Sequence, residues 1–185
     1  MEMIRNASIN AGSNTFHSKM SPIELFRNYI AYNHWANQEL TRWLQTFNEE
    51  LLYQKLNGSF ASIDMILQHM KNAQDFWYAV ITKEDVRKLD ETKKIRSIDI
   101  VIKELLEGSQ KMIDTYTSYS EAELEEKVES PVIAKTRYDF ILHVITHNAY
   151  HRGQIIDRSR LLGITKNIPD TQYEAFLWHQ QKNSQ

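Results

Sequence analysis

The chain has 185 residues, 42% of them hydrophobic, which suits one globular domain with a single real core. Twenty-two Lys and Arg against 24 Asp and Glu leave a net charge of -2, with no basic cluster interleaved with aromatics, so nothing points to a nucleic-acid partner. Cysteine is absent, which excludes disulfides, thiolate ligands and cysteine nucleophiles; a bound metal must use imidazole, carboxylate or water.

Residues 1–20 are mostly small and polar and lack the apolar stretch of a signal peptide. They read as a flexible leader to a single domain over residues 21–185. No apolar run reaches the length of a membrane span, and with no cysteine a cytoplasmic location is expected. Five glycines and three prolines punctuate the chain sparsely, which favours long helices. The first begins at Ser21 as N-cap, with Pro22 at the first helical position and Glu24 completing a capping box. Its apolar positions run from Phe26 and Ile30 to Leu44 and Phe47, and its end is expected near Asn48. Asn57-Gly58-Ser59 is turn chemistry ending in an N-cap residue. A second helix follows, with Ile63, Ile66, Leu67, Met70, Trp77 and Ile81 on its apolar face, and stops in the charged stretch 82–94.

The third helix starts near Ser97 and carries Val101, Ile102, Leu105, Met112 and Tyr116, although Gly108 in its middle costs about 1 kcal/mol against alanine. Residues 120–136 are a connection with a short extended pair, long enough for a topology other than simple up-down-up-down. Thr136 and Asp139 form a capping box for the fourth helix, which Gly163 stops. Tyr173, Phe176, Leu177 and Trp178 mark a short C-terminal helix covering one side of a four-helix bundle.

Histidine distribution is the informative feature. Four of the seven histidines fall on the second and fourth helices: His69, and His143, His147 and His151 at i, i+4 and i+8. An i, i+4 pair of imidazoles shares one helical face and can grip a metal at about 2.0–2.1 Å per bond. A third ligand must come from another helix, and His69 sits at the edge of an apolar face. A lone histidine so placed is usually a hydrogen-bonded core residue, whereas for the His147/His151 pair the core and metal readings stand level. The stretch His147-Asn148-Ala149-Tyr150-His151 lacks the glutamate of a zincin, and the chain has no paired Glu-x-x-His, no Gly-rich dinucleotide or phosphate loop and no nucleophile elbow.

The run His143-Val144-Ile145-Thr146-His147-Asn148-Ala149-Tyr150-His151-Arg152-Gly153-Gln154-Ile155 resembles the hallmark of the DinB/YfiT-like superfamily, a His-x-x-x-His followed directly by Arg-Gly-Gln. Tyr32-Asn33-His34-Trp35-Ala36-Asn37 resembles that family's first-helix element. Gly58-Ser59-Phe60, Leu67-Gln68-His69-Met70 and Phe76-Trp77 resemble its second helix. The resemblance implies an all-α four-helix bundle of the family's topology, a homodimer, and one divalent metal, zinc or nickel with iron and manganese as alternatives. The implied ligands are His69, His147 and His151. His143 is left to packing or support of the ligands. Arg152 is read as structural, through charge pairing, capping or interhelical hydrogen bonds, Gln154 as ordering the helix pair or standing near the metal, and Gly153 as permitting close helix packing. His34, Trp35, Trp77 and Trp178 are read as packing, and His17 and His179 as lying in flexible ends. Three neutral imidazoles leave the metal an open position, where a bound water or a thiolate becomes the reactive group. The expected function is transfer of a low-molecular-weight thiol to a small electrophilic substrate. The alternatives are a metal-dependent hydrolase and a non-enzymatic, stress-associated metal- or ligand-binding bundle.

Overall fold

The computed structural model describes residues 20–87, 89 and 96–184. The expected leader, apart from Met20, and His17 within it, lie outside the described residues. Four long helices, α1 (Pro22–Leu44), α3 (Ile63–Thr82), α4 (Ile98–Tyr116) and α6 (Arg137–Leu161), form a bundle. The short α2 (Glu49–Leu52), α5 (Glu121–Glu125), β1 (Lys127–Glu129) and β2 (Ala134–Thr136) lie in connections, and α7 (Tyr173–Asn183) packs on α1. β1 and β2 pair antiparallel, Val128 opposite Lys135, and are the expected extended pair.

The caps set the helix starts. Ser21 and Glu24 make a reciprocal capping box on α1, and Thr136 and Asp139 do the same on α6. Gly163 takes φ +82°, the left-handed conformation that closes α6. Two boundaries differ from the sequence expectation. α1 ends at Leu44 because Asn48 turns its side chain to Glu50 N and starts α2. α3 starts after Ser62 rather than Ser59, because Leu56 N–H bonds Ala61 O and keeps the chain in a loop until there.

α1 and α3 each pack on both α4 and α6, so α1 faces α3 across one diagonal and α4 faces α6 across the other. Side-chain pairs fix the directions. Phe26 meets Tyr138 and Arg152 meets Asn37, so α1 and α6 run parallel. Trp77 stacks on Phe140 while His69 meets His147, so α3 opposes α6. Lys71 pairs with Glu104 and Tyr78 with Thr115, so α3 and α4 run parallel. The order is up-down-down-up. The connection that breaks simple alternation therefore lies between α3 and α4, not after α4. Gly108 permits this parallel contact: a Cβ there would lie 2.4 Å from Gln74 Nε2, which donates to Leu105 O at 3.1 Å.

The apolar core divides in two. Phe26, Ile30, Met112, Tyr116, Phe140 and Val144 belong to one half, and Leu40, Leu44, Ile66, Met70, Ile102 and Ile155 to the other. Between them lies a layer of buried polar side chains, Asn33, Asn37, Gln74, Ser109, Asn148 and Arg152. None of the described helices is long and apolar enough to cross a membrane.

Candidate metal centre

The antiparallel packing of α3 against α6 brings His69 level with His147 and His151. The Nε2 atom of His147 lies 3.1 Å from that of His69 and 3.1 Å from that of His151. Among the described residues these three form the one cluster of metal-ligating side chains, with no carboxylate joining them. A metal held by two imidazoles at about 2.05 Å separates the nitrogens by about 2.9 Å at a right angle and about 3.3 Å at a tetrahedral one. The observed spacing lies between these values.

Gln154, one turn beyond, accepts at Oε1 from Nδ1 of His151 over 2.7 Å, and its amide nitrogen donates to the Tyr150 hydroxyl at 3.0 Å. With the Nδ1 proton so engaged, Nε2 of His151 presents a lone pair toward the cluster. Burial pushes the His147 imidazole down to about 4, and His151, His69 and His143 add to the shift. Burial also lowers His69, helped by His151, and lowers His151 against the opposing effect of its hydrogen bond to Gln154. The cluster thus favours neutral rings, the form that binds metal. Three neutral imidazoles this close cannot satisfy one another, because each N–H serves one neighbour. A cation among them satisfies all three, so the residues fit a metal.

Phe60 covers one side, its ring 5.0 Å from that of His69 and 5.6 Å from that of His151. The sequence placed this residue in the second-helix element without assigning it a role. His143 is exposed and stands edge-on to Trp77 at 4.8 Å, outside the cluster. His34 is on the far side, its Nδ1 2.7 Å from Ser109 Oγ, tying α1 to α4.

Arg152 lies almost wholly buried on the opposite face of α6. It donates to Asn33 Oδ1 at 3.1 Å, Asn37 Oδ1 at 2.8 Å and the Tyr32 hydroxyl at 3.1 Å, so of the structural roles expected it takes the interhelical one, while Gln154, bonded to His151 and Tyr150 of its own helix, stands beside the cluster rather than ordering the helix pair. Three expectations fail. Gly153 meets nothing within 4 Å and faces outward, so it serves no close packing. Trp178 is exposed, with Lys182 over its ring. His179 sits on α7 with its ring 5.7 Å from Trp35 rather than in a loose end.

The sequence pattern of the DinB family matches residues 17–183. The chain belongs to the DinB family. Protein DinB of Bacillus subtilis (strain 168) is 24% identical over 157 residues, which cover 80% of this chain and 90% of that protein. In this DinB-family chain, the His-x-x-x-His-Arg-Gly-Gln element performs two tasks from one helix. Its histidines face α3, and its arginine locks the opposite face to α1.

Proposed function

We propose that His69, His147 and His151 hold one divalent metal ion, zinc or nickel, and that the protein joins a low-molecular-weight thiol to a small electrophile. The observation that carries this reading is the convergence of three neutral imidazoles with no fourth protein ligand among the described residues. Structural zinc sites are closed by four protein ligands, whereas catalytic ones keep a position open. When bound, the metal supplies a full 2+ charge that favours a thiolate over a thiol.

The chain's own residues prepare that chemistry. Gln154 fixes the tautomer and orientation of His151, and Phe60 keeps water from one side of the ligands. The thiol gives up its proton to solvent water, its sulfur forms the new S–C bond, and the leaving group departs with the electron pair of the broken bond. Hydrolysis fits less well, because no carboxylate stands among the histidines to act as general base.

The test uses protein purified without a histidine tag. Metal content of the wild type and of His147→Ala is measured first, and a panel of cellular thiols and electrophiles is then screened with and without chelator. Stoichiometric metal in the wild type alone, with chelator-sensitive conjugation, is expected. Negligible metal in both proteins overturns the metal site, and metal without conjugation overturns the transferase.

A further inference from the structure

Phe60, whose ring stands near those of His69 and His151, also lines a cavity of about 390 Å³. Its walls come from the loop before α3, the first turns of α3 and the start of α4. Phe60, Met65, Ile98 and Val101 give it apolar faces. The volume falls within the range of small-molecule sites, about 300–1,000 Å³, which combine apolar walls with a few placed polar groups.

The charges in the wall are unequally matched. Arg96 is ion-paired with Glu104, and Lys55 is exposed at the rim, where water screens it. Asp64 has no ion-pair or hydrogen-bond partner among the described residues, and its Oδ1 atom is buried. A carboxylate oxygen withdrawn from water without a donor is costly. Burial first, then the hydrogen bond to Glu49 and the charges of Glu49 and Asp64, push the neighbouring Tyr53 phenol up, against a hydrogen bond from Ile98 N–H.

We infer that the cavity binds a compact organic cation, with an apolar body against Phe60, Met65 and Ile98 and an ammonium group donating to Asp64. Since Phe60 is a wall of both the cavity and the histidine cluster, the ligand lies beside the metal. That placement rests on the metal reading above; the preference for a cation does not.

Phenethylamine and phenylacetate, alike in size and opposite in charge, are titrated into the full-length protein and followed by the broadening of their own proton resonances. Phenethylamine is expected to bind about tenfold or more tightly, the scale of one charge-assisted hydrogen bond. Asp64→Asn should abolish that preference. Met65→Lys, at a position 48% exposed and so tolerant of change, should weaken phenethylamine binding by repulsion, which gives a second reading should the first variant unfold. Equal binding of the two probes, tighter phenylacetate, binding of neither at millimolar concentration, or indifference to both substitutions overturns the inference. Loading with cobalt(II) tests placement: it should further broaden the phenethylamine ring protons in the wild type but not in His147→Ala. Binding without that broadening overturns the placement alone, and failure to take up cobalt overturns the metal reading instead.

Discussion

Gln154 Oε1 stands 2.7 Å from Nδ1 of His151, and the same amide reaches Tyr150 one turn back. This contact sets which nitrogen of His151 carries the proton and holds the ring in its plane. Groups that orient a ligating histidine in this way typically contribute about 10–100-fold to metal affinity. Gln154→Ala should weaken zinc binding by about that factor, with helix content unchanged. Gln154→Glu should tighten binding relative to the wild type, since a carboxylate makes the imidazole more basic. Competition against a chromophoric chelator measures both. Three equal affinities would show that Gln154 does not support the ligand.

Arg152 illustrates the other face of the same helix. Its guanidinium is buried among neutral oxygens, and its Nε has no partner. Burial accordingly pushes the guanidinium down from its ordinary range. Removing the side chain leaves a large void and strands the carbonyls of Asn33 and Asn37. Arg152→Ala should therefore cost about 3–5 kcal/mol in urea unfolding. Arg152→Lys should recover only part of this, because a single ammonium cannot reproduce the fork that spans two amides and a phenol. A loss under about 1 kcal/mol for the alanine variant would mean that water replaces the network.

Much of this arrangement was readable from local signals. Ser21 with Glu24 and Thr136 with Asp139 are reciprocal caps whose chemistry needs only neighbouring residues, and Gly163 is likewise a local stop. The pairing of His147 with His151 follows from helical pitch. His69 could not be derived that way, because its place in the cluster depends on the height at which α3 passes α6, a tertiary relation. It was legible only through resemblance to a family. The same limit hid Phe60, which reaches the site from a loop, and the parallel run of α3 and α4. That run is set by cross-helix pairs such as Tyr78 with Thr115, and no spacing within one helix reports it. Gly153 misled because a helical glycine is identical in sequence whether it faces a neighbour or solvent.

The pH dependence of the metal-stripped protein follows from the cluster. In the folded state His147 stays neutral down to about pH 4, whereas in the unfolded chain it takes up its proton near 6.5. Between these values the unfolded state binds more protons, so stability falls as pH falls through the window. His69, His151 and His34 are lowered too and act in the same direction. The urea midpoint should be flat above pH 7 and decline toward pH 4, and His147→Ala should make the decline shallower. A midpoint constant from pH 7 to pH 4.5 in the wild type would contradict the burial of the rings.

Two helical glycines should respond oppositely to the same substitution. Each gives up about 1 kcal/mol of helix propensity relative to alanine. Gly153 has open space around its missing Cβ, so Gly153→Ala should stabilise the protein by up to that amount. At Gly108 the new methyl would displace the Gln74 amide from Leu105 O, in a position where that amide is buried and cannot turn to water. Losing a buried hydrogen bond costs about 1–3 kcal/mol, which equals or exceeds the propensity gain. Gly108→Ala should therefore be neutral to destabilising. Combined with Gln74→Ala, which removes the obstructing group, the Gly108 substitution should become favourable, a coupling that a double-mutant cycle reads directly. Stabilisation by Gly108→Ala in the wild-type background would show that α3 and α4 are not held apart by the distance of a single missing methyl.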